Sequence, residues 1–270
     1  MRNRPSDTAV PARTAAPAAT VDDVFDIQSL LRALTTENPT APRLTHYDAS
    51  GRIELSGRVL VNWVNKAANL LVEEFDTQPG DVLVLDLPTG HWRSAYWALA
   101  AWLCGAHVMV TDARWSGAEQ RPGTPLMREP VDVVVTTSPT AWAESGADVI
   151  AVETQALARS LTGELAGAID EAATLATYGD DAPDCEAPLP DDPALSDVGY
   201  TLSYRELPTQ HEGGRVLLPL TEEAVPLQVT ALVPAVLAAG GSLVCVQMTS
   251  EPAPDLERVA TDEQATITHL

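Results

Sequence analysis

Lysine is almost missing from this chain. Lys66 stands alone among 270 residues, so any chemistry that needs a side-chain amine has one candidate. Cysteine is scarce too. Cys104, Cys185 and Cys245 are odd in number and widely spaced, which argues against a disulfide framework or a zinc knuckle. Cys104 and Cys245 lie in apolar runs and read as buried thiols. No charge-free run reaches membrane-spanning length. The N-terminal stretch MRNRPSDTAVPARTAAPAAT lacks the apolar centre of a secretory signal, and its Ala/Pro/Thr bias predicts a disordered tail over 1–20. Positive charge is also short, with 38 acids against 16 bases and a formal charge of −22. Such a surface repels phosphate backbones and anionic bilayers, which excludes nucleic acid and membrane as expected partners. Together these absences predict a soluble, reduced, cytoplasmic protein.

Familiar site patterns are missing as well. Neither Gly-x-x-x-x-Gly-Lys-Ser/Thr nor Gly-x-Gly-x-x-Gly occurs, so no standard phosphate cradle is present. There is no Gly-x-Ser-x-Gly elbow. His46, His91, His107, His211 and His269 never fall at the His-x-x-x-His spacing of a helical zinc site. His211-Glu212 runs into Gly213-Gly214 and reads as a turn. Cys104 ends a helix, where the dipole raises a thiol's pKa and quenches it. No cofactor and no metal are expected.

What remains is the alternation of an α/β protein. A helix is expected from about Asp22 to Leu34, with Val24, Ile27, Leu30, Leu31 and Leu34 on one face. Two short strands flank the turn Ala49-Ser50-Gly51. Ser56 can cap a helix that buries Val59, Trp63, Ala67, Leu70, Leu71 and Phe75. The stretch PGDVLVLDLPTGHWRSAYWALAAWLCGAHVMVTDA then reads as strand, turn, helix, strand. VDVVVTT (131–137) and ADVIAVET (147–154) predict further buried strands. Strands alternating with helices imply mainly parallel sheets flanked by helices.

Residues 179–197, GDDAPDCEAPLPDDPALSD, are acidic and proline-rich and read as a linker. Beyond it the strand–turn–helix–strand layout repeats. A glycine precedes each first strand (Gly80, Gly214) and another ends each helix (Gly105, Gly240). Pro234 should kink the second helix. The expected organisation is a tail (1–20), a first α/β lobe (21–178), the linker (179–197) and a partial second lobe (198–270).

Candidate site residues sit at the turns. Thr89, Gly90 and His91 of PTGHW lie at a helix N-terminus, which can hold an anion, although Thr89 is more simply a cap. Asp86 and Asp112 end strands, where acid–base groups often stand, but strand-end aspartates commonly accept local N–H bonds. Trp92, Trp97 and Trp102 share one helix and read as core.

These pieces resemble a known family. VNWVNKAANLL (61–71), QPGDVLV, LPTGHW and WLCGAHVMVTD resemble in turn the early motifs of adenylate-forming enzymes. This superfamily contains acyl-CoA synthetases, luciferases and peptide-synthetase adenylation domains. The resemblance covers Leu44 to Asp112 and, more loosely, Val198 onward. It implies two similar α/β lobes. It also implies that a mobile Ser/Thr/Gly loop ending in Pro-Lys-Gly, which holds ATP in the family, should follow the linker. Here that segment reads VGYTLSYRELPTQHEGGRV. Tyr200, Thr201 and Ser203 persist, but the glycines and the lysine do not. Tyr204, Arg205 and Glu206 would obstruct a triphosphate. The family's adenine motif, ribose-binding aspartate and catalytic lysine would fall beyond Leu270. The implied protein is a truncated relative, similar to a group of short actinobacterial proteins.

On this resemblance the expected function is non-catalytic. The protein would bind a partner chain or a small acyl or nucleotide-like ligand, with Thr89, His91, Thr201, Ser203 and Arg205 as ligand candidates. The alternative is half of a split acyl-CoA synthetase, completed by another polypeptide. A homodimer or heteromeric partner is expected, because lobes lacking their usual cover would expose apolar surface.

Overall fold

The structure, a computed structural model, describes residues 25–111, 130–249 and 253–270. The expected tail and Asp112 lie outside these residues. The described chain forms two sheets. The first has the order β12-β10-β11-β1-β2 and the second β7-β6-β5-β3-β4-β8-β9. The strands of the first are β1 (Pro42–Asp48), β2 (Gly51–Ser56), β10 (Arg215–Leu220), β11 (Ser242–Gln247) and β12 (Thr266–Ile267). Those of the second are β3 (Val82–Asp86), β4 (His107–Val110), β5 (Val133–Thr136), β6 (Asp148–Ala151), β7 (Ile169–Asp170), β8 (Pro193–Ser196) and β9 (Thr201–Ser203). Pairing is parallel except in the hairpins β1–β2 and β8–β9. This is the α/β architecture that the alternating pattern predicts.

Helices α1 (Ile27–Thr36), α2 (Gly57–Phe75), α3 (Trp92–Leu103) and α5 (Pro226–Ala238) join both sheets in one apolar core, and the single-turn α4 spans Glu171–Thr174. Helix α3 touches β3 and β4 of one sheet and β1 of the other. It can do so because it is apolar all round: Tyr96, Trp97, Leu99 and Trp102 are all inaccessible. The three tryptophans of α3 are core residues. Trp102 Nε1 donates to the Ala194 carbonyl (2.8 Å).

Several local expectations change. Asp26 caps α1, accepting from the Ser29 amide at 3.1 Å, so the helix begins at Ile27 rather than near Asp22. Ser56 caps α2 as expected. The buried face of α2, however, runs through Leu60, Val61, Val64, Ala67, Ala68, Leu70 and Leu71, and Val59 is exposed. The face is broad because α2 packs against both α1 and α3. Pro234 lies inside helix α5 as the sequence places it.

The strand–helix–strand repeat is real and falls one copy to each sheet: β3-α3-β4 and β10-α5-β11. Its four marker glycines all take positive φ: +95° at Gly80, +83° at Gly214, +76° at Gly105 and +72° at Gly240. The division between sheets is nevertheless not the division of the chain at 179–197. β1 and β2, early in the sequence, complete the sheet of β10 and β11, and β8–β9 complete the other. Parallel pairing of β1 with β11 joins residues about 200 apart, which no local pattern reveals.

The acidic segment is also tied down more than a linker requires. Asn65, Lys66 and Asn69 of α2 grip it. Asn65 donates to the Asp180 carbonyl (2.7 Å), Asn69 to the Asp181 carbonyl (2.8 Å), and Lys66 pairs with the Asp180 carboxylate (2.9 Å). The chain's single lysine is therefore structural. Residues 193–196 then enter the sheet as β8, with Pro193 at the first position, where a strand tolerates proline.

Candidate functional site

The repeat places two strand ends beside each other. β3 ends at Asp86 and turns through Pro88-Thr89-Gly90 into α3; β1 ends at Asp48 beside β11. Between these ends opens a cleft of about 400 Å³, lined by His46, Asp48, Ser50, Pro88, His91, Thr154, Gln155, Gln247 and Thr249. Clefts at the carboxyl ends of parallel strands are the usual ligand positions in this class of sheet. Gln247 Nε2 donates to the Thr89 carbonyl (2.9 Å) and ties the PTGHW turn to β11.

His91, and not Thr89, caps α3: its Nδ1 accepts from the Arg93 amide at 3.2 Å. An imidazole reaches the second amide of the helix as a short hydroxyl side chain would. Gly90 has φ +66°, and a Cβ there would strike the Leu220 side chain. Leu220 is itself buried. Gly90→Ala is therefore expected to cost about 1–3 kcal/mol through strain and overpacking. Urea unfolding that moves by less than about 0.5 kcal/mol would contradict that packing.

Three side chains converge on the cleft wall. His46 is 1% exposed. Its Nε2 lies 3.6 Å from Asp48 Oδ2, and its ring centroid lies 4.9 Å from that of His91. Asp48 Oδ1 is taken by the Ser50 amide (2.8 Å) and hydroxyl (2.6 Å). Burial lowers the pKa of His46. Burial, then His46 and Arg93, push His91 down to about 3. Burial acts to raise the pKa of Asp48, but the Ser50 hydrogen bonds outweigh it and the net shift is downward. At neutral pH the group is two neutral imidazoles and a carboxylate.

Below the cleft lies a buried polar cluster. Arg93 Nη1 pairs with Glu171 Oε2 at 2.9 Å, and both side chains are buried. Glu171 Oε1 accepts from Trp97 Nε1 (3.1 Å) and from the Tyr96 hydroxyl. Arg93 also stacks over Trp92, 4.3 Å from its ring centroid. Burial pushes the Glu171 carboxyl up to about 7 against the pull of Arg93.

Of the sequence candidates, the structure brings His91 into the cleft. Thr89 contributes only its carbonyl, through Gln247. Asp86 accepts from Thr111 Oγ1 (3.1 Å), Thr136 Oγ1 (2.7 Å) and Trp142 Nε1 (2.8 Å), a structural role. His211 accepts from the Gly213 amide (3.1 Å), as a turn residue does. Thr201, Ser203 and Arg205 lie at the β8–β9 hairpin, away from the cleft lining. There acids occupy both ends of the hairpin, Asp197 at the tip and Glu206 and Asp191 at the open end. Asp197 Oδ1 accepts from the amides of Gly199 (2.8 Å) and Tyr200 (2.9 Å). Glu206 Oε2 accepts from the Ser203 amide (2.9 Å) and hydroxyl (2.8 Å), and Asp191 holds Arg205 (3.0 Å).

His46 and Asp48 escaped the sequence reading. Their one signal is alternation: His-x-Asp on a strand puts both side chains on one face. His91 joins them only through the pairing of β1 with β11 and the turn after β3.

Two α/β sheets sharing a helical core, with a cleft at their carboxyl ends, define the fold of the N-terminal domain of adenylate-forming enzymes. No model of a known protein family matches the chain. A Brucella canis acyl-CoA synthetase superposes with a TM-score of 0.63 at 17% identity, covering 92% of this chain and 51% of the synthetase. The N-terminal subdomain of Klebsiella oxytoca NpsA, in complex with 3-hydroxybenzoyl-AMSN, superposes with a TM-score of 0.58 at 12% identity, over 93% of this chain and 61% of its own. This chain thus spans about half the length of the synthetase. Among curated proteins it is 29% identical over 243 residues to the TIGR03089 family protein of Mycobacterium tuberculosis, covering 87% of this chain and 94% of that one. Among the described residues no helix is long and apolar enough to cross a membrane.

Proposed function

We propose that the protein is a non-catalytic adenylate-former-like binding protein that takes a small acyl or nucleotide-like ligand in the cleft between its sheets. The observation that carries this reading is the closed β8–β9 hairpin. A phosphate loop needs free backbone N–H groups pointing at the ligand. Here the amides of Gly199, Tyr200 and Ser203 are bonded to the protein's own carboxylates, and Arg205 is neutralised by Asp191. A triphosphate would have to displace Asp197 and Glu206 and then sit beside them as like charges.

Calorimetric titration with ATP and magnesium is expected to give no binding heat. Pyrophosphate exchange across a panel of carboxylic acids is expected to stay at background. Micromolar ATP binding, or acid-dependent exchange, would overturn the reading. The same reading leaves room for a protein partner. Light scattering of the full chain that gives only a monomer would remove the homodimer from it.

A further inference from the structure

His46 presents a puzzle that the proposed function does not absorb. Neither of its buried ring nitrogens makes a hydrogen bond of ordinary geometry, although the Gly90 backbone lies beside the ring, and His91 Nε2 is in the same position with the Thr154 backbone beside its ring. Buried polar atoms are ordinarily paired, and several unpaired ones in a single place call for a missing partner. One ligand atom from each of His46, Asp48 and His91 lies within 4.8 Å of the other two.

One of the three separations fits a bound metal ion. At 3.6 Å, His46 Nε2 and Asp48 Oδ2 are too far apart for a hydrogen bond. Two ligands held about 2.1 Å from a tetrahedral metal stand about 3.4 Å from each other, which is nearly this separation. The donor set is two imidazoles and a carboxylate, which suits zinc or a neighbouring first-row ion and not calcium or magnesium. An anion in the same position would meet the Asp48 carboxylate.

We propose that His46, Asp48 and His91 form a binding site for one divalent transition-metal ion, with a fourth position open to the cleft. Two elements supply the three ligands: β1 carries His46 and Asp48 on one face, and the turn into α3 carries His91. The second oxygen of Asp48 is fixed by Ser50, which orients the carboxylate as supporting hydrogen bonds do in metal sites. If His91 ligates through Nε2, its ring proton moves to Nδ1 and the 3.2 Å cap bond from Arg93 is given up, a small loss beside three metal–ligand bonds. The fourth position faces the cleft lined by Thr154 and Gln155, where a water or a ligand carboxylate would complete the coordination. The site does not depend on the non-catalytic reading, because none of its ligands lies in the β8–β9 hairpin.

The test is a cobalt(II) titration of the untagged full chain, followed by visible absorption and calorimetry, then competition with zinc. One equivalent is expected to bind, with the intense d–d absorption of a four- or five-coordinate site, and zinc should displace it. Asp48→Asn, at a partly exposed position that tolerates the change, should weaken binding at least tenfold. His91→Asn, which keeps a helix-capping side chain, should do the same. Circular dichroism confirms that both variants fold. Absence of stoichiometric binding at 100 equivalents of cobalt would overturn the site. So would binding that survives both substitutions, because the ion would then sit elsewhere on the chain.

Discussion

Glu171→Ala is expected to lower the unfolding free energy at neutral pH by about 3–5 kcal/mol, the usual cost of breaking a buried ion pair. That is a large share of the roughly 5–15 kcal/mol by which domains are stable. Three groups lose their partner at once. Arg93, 3% exposed, keeps its charge, because a guanidinium does not release its proton in a protein. Trp97 Nε1 and the Tyr96 hydroxyl are left without an acceptor, each an unsatisfied buried donor costing about 1–3 kcal/mol. The reverse change, Arg93→Met, should cost less. The carboxyl left behind can take up a proton and still accept from Trp97 and Tyr96. Chemical denaturation of both variants checks the asymmetry. Equal losses would show that the pair contributes by packing and not by charge.

The second large effect is a pH dependence from the same residue. In the unfolded chain Glu171 titrates near 4.5; in the folded protein burial pushes it up to about 7. Folding therefore takes up a proton between those values. The resulting stabilisation is complete below about pH 4.5 and is lost as pH rises through about 7. At about 1.4 kcal/mol for each pH unit between the two values, the loss is roughly 3 kcal/mol. Urea midpoints measured from pH 4.5 to 8 should fall in the wild type and be markedly flatter in Glu171→Gln, which cannot titrate. Repulsion among the 38 acids pulls the same way in both proteins, so the difference between the two curves isolates Glu171. Parallel curves would contradict its placement.

The fold was largely legible because its signals are local. Val133–Thr136 reads as a doubly buried strand, and all four residues are buried. The glycines at 80, 105, 214 and 240 mark both copies of the repeat, since each takes a φ that other residues adopt at a cost. Sheet membership was not legible, because the pairing of Leu44 with Leu243 or Leu195 with Val108 depends on tertiary packing. The site suffers from the same gap. Glu171 follows Asp170 in an unremarkable Ala-rich run, and nothing local says that it enters the core beside Arg93. Thr89 looked like the cap of α3 because hydroxyls usually serve. The turn overshoots it by two residues, and His91 takes the role. His46 and Asp48 alternate correctly, but the turn that carries His91 to them comes after two further strands and a full helix.

The claim on which the functional reading rests is that the amides of the β8–β9 hairpin are already occupied. Amide NMR of the ¹⁵N-labelled chain tests it directly by following Gly199, Tyr200 and Ser203 while ATP and magnesium are added. The closed hairpin predicts that these three resonances stay where they are at millimolar nucleotide, and that Asp197→Ala alone moves the first two. Saturable shifts of Gly199 and Tyr200 at micromolar ATP would show a working phosphate loop and contradict the reading.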